Sequence, residues 1–172
     1  EGLNHAVGIH TVSDSLWKLA EPYLNHPIYH KTIYTTVPVV ENLPAKEEDV
    51  VGCDGEVVFV TVGRLHWTKN YVDLLKAFKR LLDAGLNANL VIIGDGPEKE
   101  CLIYWVSILG LQNNIIFKGK LNYDDVSEIL KHSTGYIQSS IAEGFSNATA
   151  EAMALGLPVF ATDVGGTGEI IQ

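Results

Sequence analysis

The chain has 172 residues, 47% of them hydrophobic and 19% charged, with a formal net charge of −9. This is the composition of a folded globule, long enough for one good core or for one domain and a piece of another. No apolar run reaches the length of a bilayer, and a net negative charge argues against non-specific binding to a polyanion, although two well-placed cations still suffice for a small phosphate ligand. Cys53 and Cys101 lie in dissimilar contexts, which fits a reducing, cytoplasmic setting better than a disulfide scaffold. The first residues carry neither an initiator Met nor a signal-like segment, and the last ones stop as a helix begins, so both ends read as interior to a longer chain.

In chain order, residues 7–12 predict a short strand. Ser13 is placed to cap a helix through residues 14–19 that stops near Pro22. Residues 33–37 predict another strand, halted by Pro38, and residues 41–49 form a polar, acidic linker. Beyond the linker the pattern becomes regular. Residues 57–62 are a continuous β-branched run, as expected of a strand covered on both faces. Val72, Leu75, Phe78, Leu81 and Leu82 then recur at helical spacing up to Gly85. Strands at 90–93, 115–117, 136–137 and 159–161 alternate with helices at 98–109, 123–131 and 147–155. Such alternation predicts an α/β fold, a Rossmann-like parallel sheet with helices on both faces, and ligand contacts in the loops beyond the strands' carboxyl ends.

Two of those loops carry chemistry. After the first regular strand come Gly63, Arg64 and Lys69. The glycine allows close backbone approach, the arginine can fork onto two phosphate oxygens, and the lysine supplies a point charge where a helix begins. The bland alternative is a pair of solvated surface cations. The second loop holds Glu143, and Glu151 follows inside the next helix. Residues 144–147 would offer free main-chain amides to an anion, and each carboxylate can accept from two vicinal hydroxyls of a sugar or ribose. Taken singly, either glutamate could merely face solvent.

Together these segments strongly resemble the retaining GT-B glycosyltransferases with an E-x7-E signature, the group 1 or family 4 type. Glu143-Gly144-Phe145 and Glu151-Ala152-Met153 reproduce that spacing. Residues 62–65 with Lys69-Asn70, residues 92–97, 117–119, 161–166 and 169–171 are similar to the same family in the same order. The resemblance implies the C-terminal half of a GT-B fold, with residues 1–44 a remnant of the N-terminal domain and hinge. Residues 45–172 become the nucleotide-sugar-binding domain, truncated at its end.

It also implies roles. Glu143, Arg64 and Lys69 are the catalytic candidates, the two cations holding the donor diphosphate. Gly63, Gly119, Lys120, Leu121, Glu143, Gly144, Phe145, Ser146, Asn147 and Glu151 complete the donor site. Within it Glu151 takes the ribose, Glu143 the transferred sugar, and the 119–121 loop edges the base. No catalytic metal or cofactor is implied. The partners are a nucleotide-sugar donor and a glycan, lipid or small-molecule acceptor, with no nucleic acid. Any contact with a membrane surface falls to the N-terminal domain.

The hinge Asn-Gly pair of the family is absent from residues 35–40, and Gln138-Ser139-Ser140 replaces its usual Pro-Ser. Rival readings fare worse. Gly94 and Gly96 follow a strand, but Lys99 stands where a dinucleotide fingerprint needs its third glycine. A glycoside hydrolase would leave the paired cations without a role. A binding module inactive alone, and a GT-B sugar-nucleotide epimerase, stay open as alternatives. His26 and His30 are separated by Pro27 and lack a third ligand nearby, so no metal site is expected.

Overall fold

The computed structural model describes residues 2–36 and 56–171. The expected linker, the Pro38 stop and Cys53 lie outside the described residues. The first region holds two short parallel strands, β1 (Gly8–Thr11) and β2 (Tyr29–Thr32), joined through helix α1 (Asp14–Ala20). Ser13 caps α1 as expected, its hydroxyl accepting from the Leu16 amide. The strand expected at 33–37 is corrected: β2 ends at Thr32, and residues 33–36 are irregular. The β-branched run drew the assignment there, but register with β1, Gly8 opposite Tyr29 through Thr11 opposite Thr32, decides where the strand forms.

The second region is a five-stranded, wholly parallel sheet. It comprises β3 (Val57–Val62), β4 (Ala88–Ile93), β5 (Ile115–Gly119), β6 (Gly135–Gln138) and β7 (Val159–Ala161). Between them run α2 (Tyr71–Asp83), α3 (Lys99–Ile108), α4 (Tyr123–Lys131) and α5 (Asn147–Ala154), with a short α6 (Thr167–Ile170) at the end. The period-2 geometry of β4 divides its side chains between two cores. Leu90 and Ile92 pack with Leu75 and Phe78 of α2 and Leu102 of α3, whereas Val91 and Ile93 pack with Leu130 of α4, Ala152 of α5 and Leu155 just after it. Helices therefore cover both faces, and the expected Rossmann-like α/β sheet is what forms. Each fully buried Leu or Phe contributes on the order of 1.5–3 kcal/mol.

Strand order is β5-β4-β3-β6-β7. The chain builds outward from β3 in one direction, then crosses back to place β6 on β3's other side. The connections leaving β3 and β6 consequently diverge, and a crevice opens between their carboxyl ends, the position where open α/β sheets bind ligands. No helix among the described residues is long and apolar enough to cross a membrane.

Candidate functional site

The loop leaving β3 is short and tightly held. Gly63 and Leu65 donate main-chain hydrogen bonds to Ile93, the last residue of β4, and to Asp95 in the loop after it; Gly94 lies between them. Gly94 there has φ +139, and a Cβ on it would fall 1.9 Å from the Gly63 carbonyl oxygen, so only glycine permits this approach. A one-turn 3-10 helix, Trp67–Lys69, follows and ends at Asn70 in the left-handed region, φ 52. Asparagine tolerates that conformation better than most residues, and its amide side chain bonds Asp73 at 3.1 Å. The kink turns the chain into α2 and sends the Lys69 side chain back across Gly63, where a Cβ would lie 3.3 Å from the lysine Cε.

The loop leaving β6 is stitched to this one. Ser139 Oγ donates to the Lys69 carbonyl at 2.8 Å, and the Ile141 amide donates to Thr68 at 2.8 Å. Across the crevice Lys69 Nζ pairs with Glu143 Oε2, and Ser140 Oγ donates to the same carboxylate at 3.3 Å. The lysine and glutamate side chains are only 22% and 15% exposed. The loop after β7 closes the other flank. Gly166 donates to the Gly144 carbonyl, and at Gly165, φ +56, a Cβ would sit 1.6 Å from the Glu143 carbonyl oxygen.

Beside the pair, residues 144–147 enter α5. Their four amides have no hydrogen-bond acceptor among the described residues. Arg64 is exposed and has no partner among them either. Glu151 lies on the second turn of α5, half-buried and without a hydrogen-bond partner among the described residues, and burial pushes its carboxyl above the ordinary range. Tyr71, buried under Gly63, is pushed up to about 12, chiefly by burial and also by the Glu143 charge, against a lowering bond to Thr61. It therefore remains a neutral donor at physiological pH. A cleft of about 410 Å³ opens alongside, lined by Ser15, Leu16 and Leu19 of α1 and by Ile141, Glu143 and Gly165.

Of the residues singled out in the sequence, Gly63, Lys69, Glu143 and Gly144 meet directly. Gly119, φ +67, is linked to them through Gly94, whose amide it accepts at 2.8 Å. Lys120 is exposed beyond it, and Leu121 packs into the α4–α5 core. Phe145 lies 6.1 Å from the Tyr34 ring. Asn147 is exposed at the first turn of α5. Ser146 is buried and its hydroxyl is engaged within the protein, so only its amide faces a ligand. Arg64 and Glu151 make no direct contact with the Lys69–Glu143 pair. His26 bonds main-chain carbonyls of Asn4 and Pro27, and His30 stacks on Trp17 at 3.8 Å. The sequence reading missed Tyr71, Gln138 and Thr149, polar groups buried under both loops. A polar residue ending an otherwise apolar strand was the one available signal, at Gln138.

Comparison with known proteins identifies the family. The family model for glycosyl transferases, group 1, matches residues 46–172. An uncharacterized glycosyltransferase of Methanocaldococcus jannaschii is 40% identical over 106 residues, covering 62% of this chain and 26% of that protein. The N-acetyl-alpha-D-glucosaminyl L-malate synthase of Bacillus anthracis is 32% identical over 119 residues, 69% of this chain and 30% of its own length. The chain thus spans under a third of the curated relatives it matches. Among solved structures, Anabaena HepE in complex with UDP-glucose superposes with a TM-score of 0.82 at 22% identity, over 98% of this chain and 48% of that one. With a family match running from the residues before β3 to the end of the chain, this protein belongs to the group 1 glycosyl transferases.

Proposed function

We propose that the chain carries the donor half of an enzyme that moves a sugar from a nucleoside diphosphate to an acceptor with retention of configuration. The observation that carries this reading is the Lys69–Glu143 pair at the sheet's switch point, flanked by four amides and an arginine that have no partner among the described residues. Arg64, Lys69 and the amides of residues 144–147 hold the diphosphate. When the bond between the sugar and the phosphate breaks, negative charge grows on the leaving oxygen, and these fixed donors stabilise it without reorganising. They take the place of a divalent metal, and no cofactor is needed.

Glu143, released as Lys69 turns to phosphate, accepts from hydroxyls of the transferred sugar. Glu151 accepts from the ribose, for which its unpartnered carboxylate is suited. The loop 119–121 borders the base. Retention and metal independence rest on the resemblance of the Glu143–Glu151 spacing to the retaining family. Residues 1–44 belong to the preceding domain and hinge, residues 45–172 to the donor domain, and the acceptor and any membrane contact are left to the rest of the enzyme.

Calorimetry with UDP, GDP and ADP sugars tests the reading. One nucleotide sugar is expected to bind, weakly, and the 172-residue chain alone is expected to transfer nothing. Binding of NAD instead, or of none of the panel, overturns it.

A further inference from the structure

Beneath the free amides lies a buried polar cluster to which no role has yet been given. Gln138, the last residue of β6, is 4% exposed, and its amide side chain joins three elements. Its Oε1 accepts from the Ser146 hydroxyl and from Thr149 Oγ1, the latter at 2.8 Å. Its Nε2 donates to Thr167 Oγ1, at the start of α6, at 3.3 Å. Ser146 and Thr149 also lie 2.8 Å apart through their hydroxyls, and Ser146 Oγ accepts the Thr149 amide as the N-cap of α5. All four residues are buried. A carboxamide offers an acceptor oxygen and a donor nitrogen in one fixed plane.

The segment that holds the free amides is therefore pinned at both ends by unrelated means. At Glu143 it is held by the Lys69 pair and by Gly165; at Ser146 it is held by Gln138 alone among side chains of the sheet. We propose that Gln138 is a positioning residue for the diphosphate: through Ser146 and Thr149 it fixes the direction in which the amides of residues 144–147 point, and so sets the affinity for the sugar-bearing phosphate. This rests on the donor-site reading above. A buried network of this kind is satisfied as a unit, since every hydroxyl in it has a partner and none of the buried side-chain polar atoms among the described residues is left unpaired. Replacing the carboxamide with an apolar group leaves the Ser146 hydroxyl without its acceptor and Thr167 without its donor, while Thr149 keeps its contact with Ser146; Ser146 then rotates toward another acceptor, carrying the adjoining amides with it.

The test uses Gln138→Met, which keeps length and volume, and Thr149→Val, which removes one hydroxyl from the same network. Calorimetry compares the nucleoside diphosphate that wild type binds best with its monophosphate. Each variant is expected to lose tenfold or more in diphosphate affinity and less than twofold in monophosphate affinity. The double variant should lose little beyond either single one, because both break one network. A lowered melting temperature with the ratio of the two affinities unchanged overturns the proposal and leaves the cluster a packing feature. Should Gln138→Met fail to fold, Thr149→Val alone carries the comparison. If wild type binds no nucleoside diphosphate, the donor site itself is refuted, and the inference with it; binding by wild type with unaltered variants refutes the inference alone.

Discussion

Glu143 and Glu151 stand eight positions apart in the sequence and occupy opposite electrostatic situations. Around Glu143, before α5, a lysine and a serine hydroxyl hold the carboxylate, and the glycine-allowed approach of Gly165 to its main-chain carbonyl holds the backbone. Around Glu151, on the second turn of α5, burial raises the carboxyl and nothing offsets it. One region is balanced before a ligand arrives; the other is left wanting one. On the donor-site reading, the surroundings of Glu143 are arranged before a ligand arrives, and Glu151 keeps acceptor capacity for ligand hydroxyls.

The contrast can be broken most severely at Lys69. On the donor-site reading Lys69→Ala removes a diphosphate ligand, and it takes the ion-pair partner from Glu143 as well, so it should weaken diphosphate binding by about 1.5–3 kcal/mol and destabilise the empty protein by about 1–3 kcal/mol. Calorimetry and denaturant unfolding read the two effects separately, and a variant as stable as wild type would mean that the ion pair does not order the loop. Arg64→Ala is the sharpening control. The arginine is exposed and has no partner among the described residues, so the same affinity loss of about 1.5–3 kcal/mol is expected, with stability within about 0.5 kcal/mol of wild type.

Glu151→Gln should move the two observables in opposite directions. Nucleoside affinity falls by about 0.5–1.5 kcal/mol, the net scale of a hydrogen bond, while thermal stability of the empty protein at neutral pH rises. The sign follows from linkage. A carboxyl whose folded-state pKa is raised favours folding most below its unfolded value and loses that contribution as pH rises through the folded value. The melting-temperature gain of the glutamine variant should therefore shrink below the ordinary glutamate range, and a gain independent of pH would refute the burial account.

The smallest effect concerns Glu169, where the first region meets the sheet. Its carboxylate accepts the Asp14 and Ser15 amides at 2.9 and 2.8 Å, the Ser15 hydroxyl at 2.6 Å and the Tyr34 hydroxyl at 3.2 Å. Burial pushes this carboxyl up, but the Ser15, Asp14 and Tyr34 bonds outweigh it and the net pKa is lowered. Its contribution is present above the ordinary glutamate range and lost as pH falls through the depressed folded value. Glu169→Gln should melt slightly earlier than wild type at neutral pH and converge with it in acid; no convergence would place the docking of α1 elsewhere.

Much of the fold was legible beforehand, because burial on two faces leaves a strong mark. The apolar runs of β3 and β4 and the helical spacing of α2 located those elements to within a few residues. The strand misplaced at 33–37 shows the limit: β-branched residues raise strand propensity, but pairing partners choose the register. Within the site, Gly63, Lys69, Glu143 and Gly144 were each visible as chemistry at loop positions. That Lys69 binds Glu143, and that Ser146 turns inward to Gln138, was not. A hydrogen-bond partner 74 residues away, or a hydroxyl buried under a cap, leaves no periodic trace.

Local pattern, then, determined which residues become strands and helices, which loops gather at the strand ends, and which side chains have the charge to grip a phosphate. These follow from periodicity, turn chemistry and side-chain type, all readable within a short window. Tertiary structure alone decided the strand order, and with it which loops share the crevice, which carboxylate is paired and which is stranded. Those outcomes depend on how cores on two faces of one sheet pack, a property of residues distant in the chain and adjacent only once it folds.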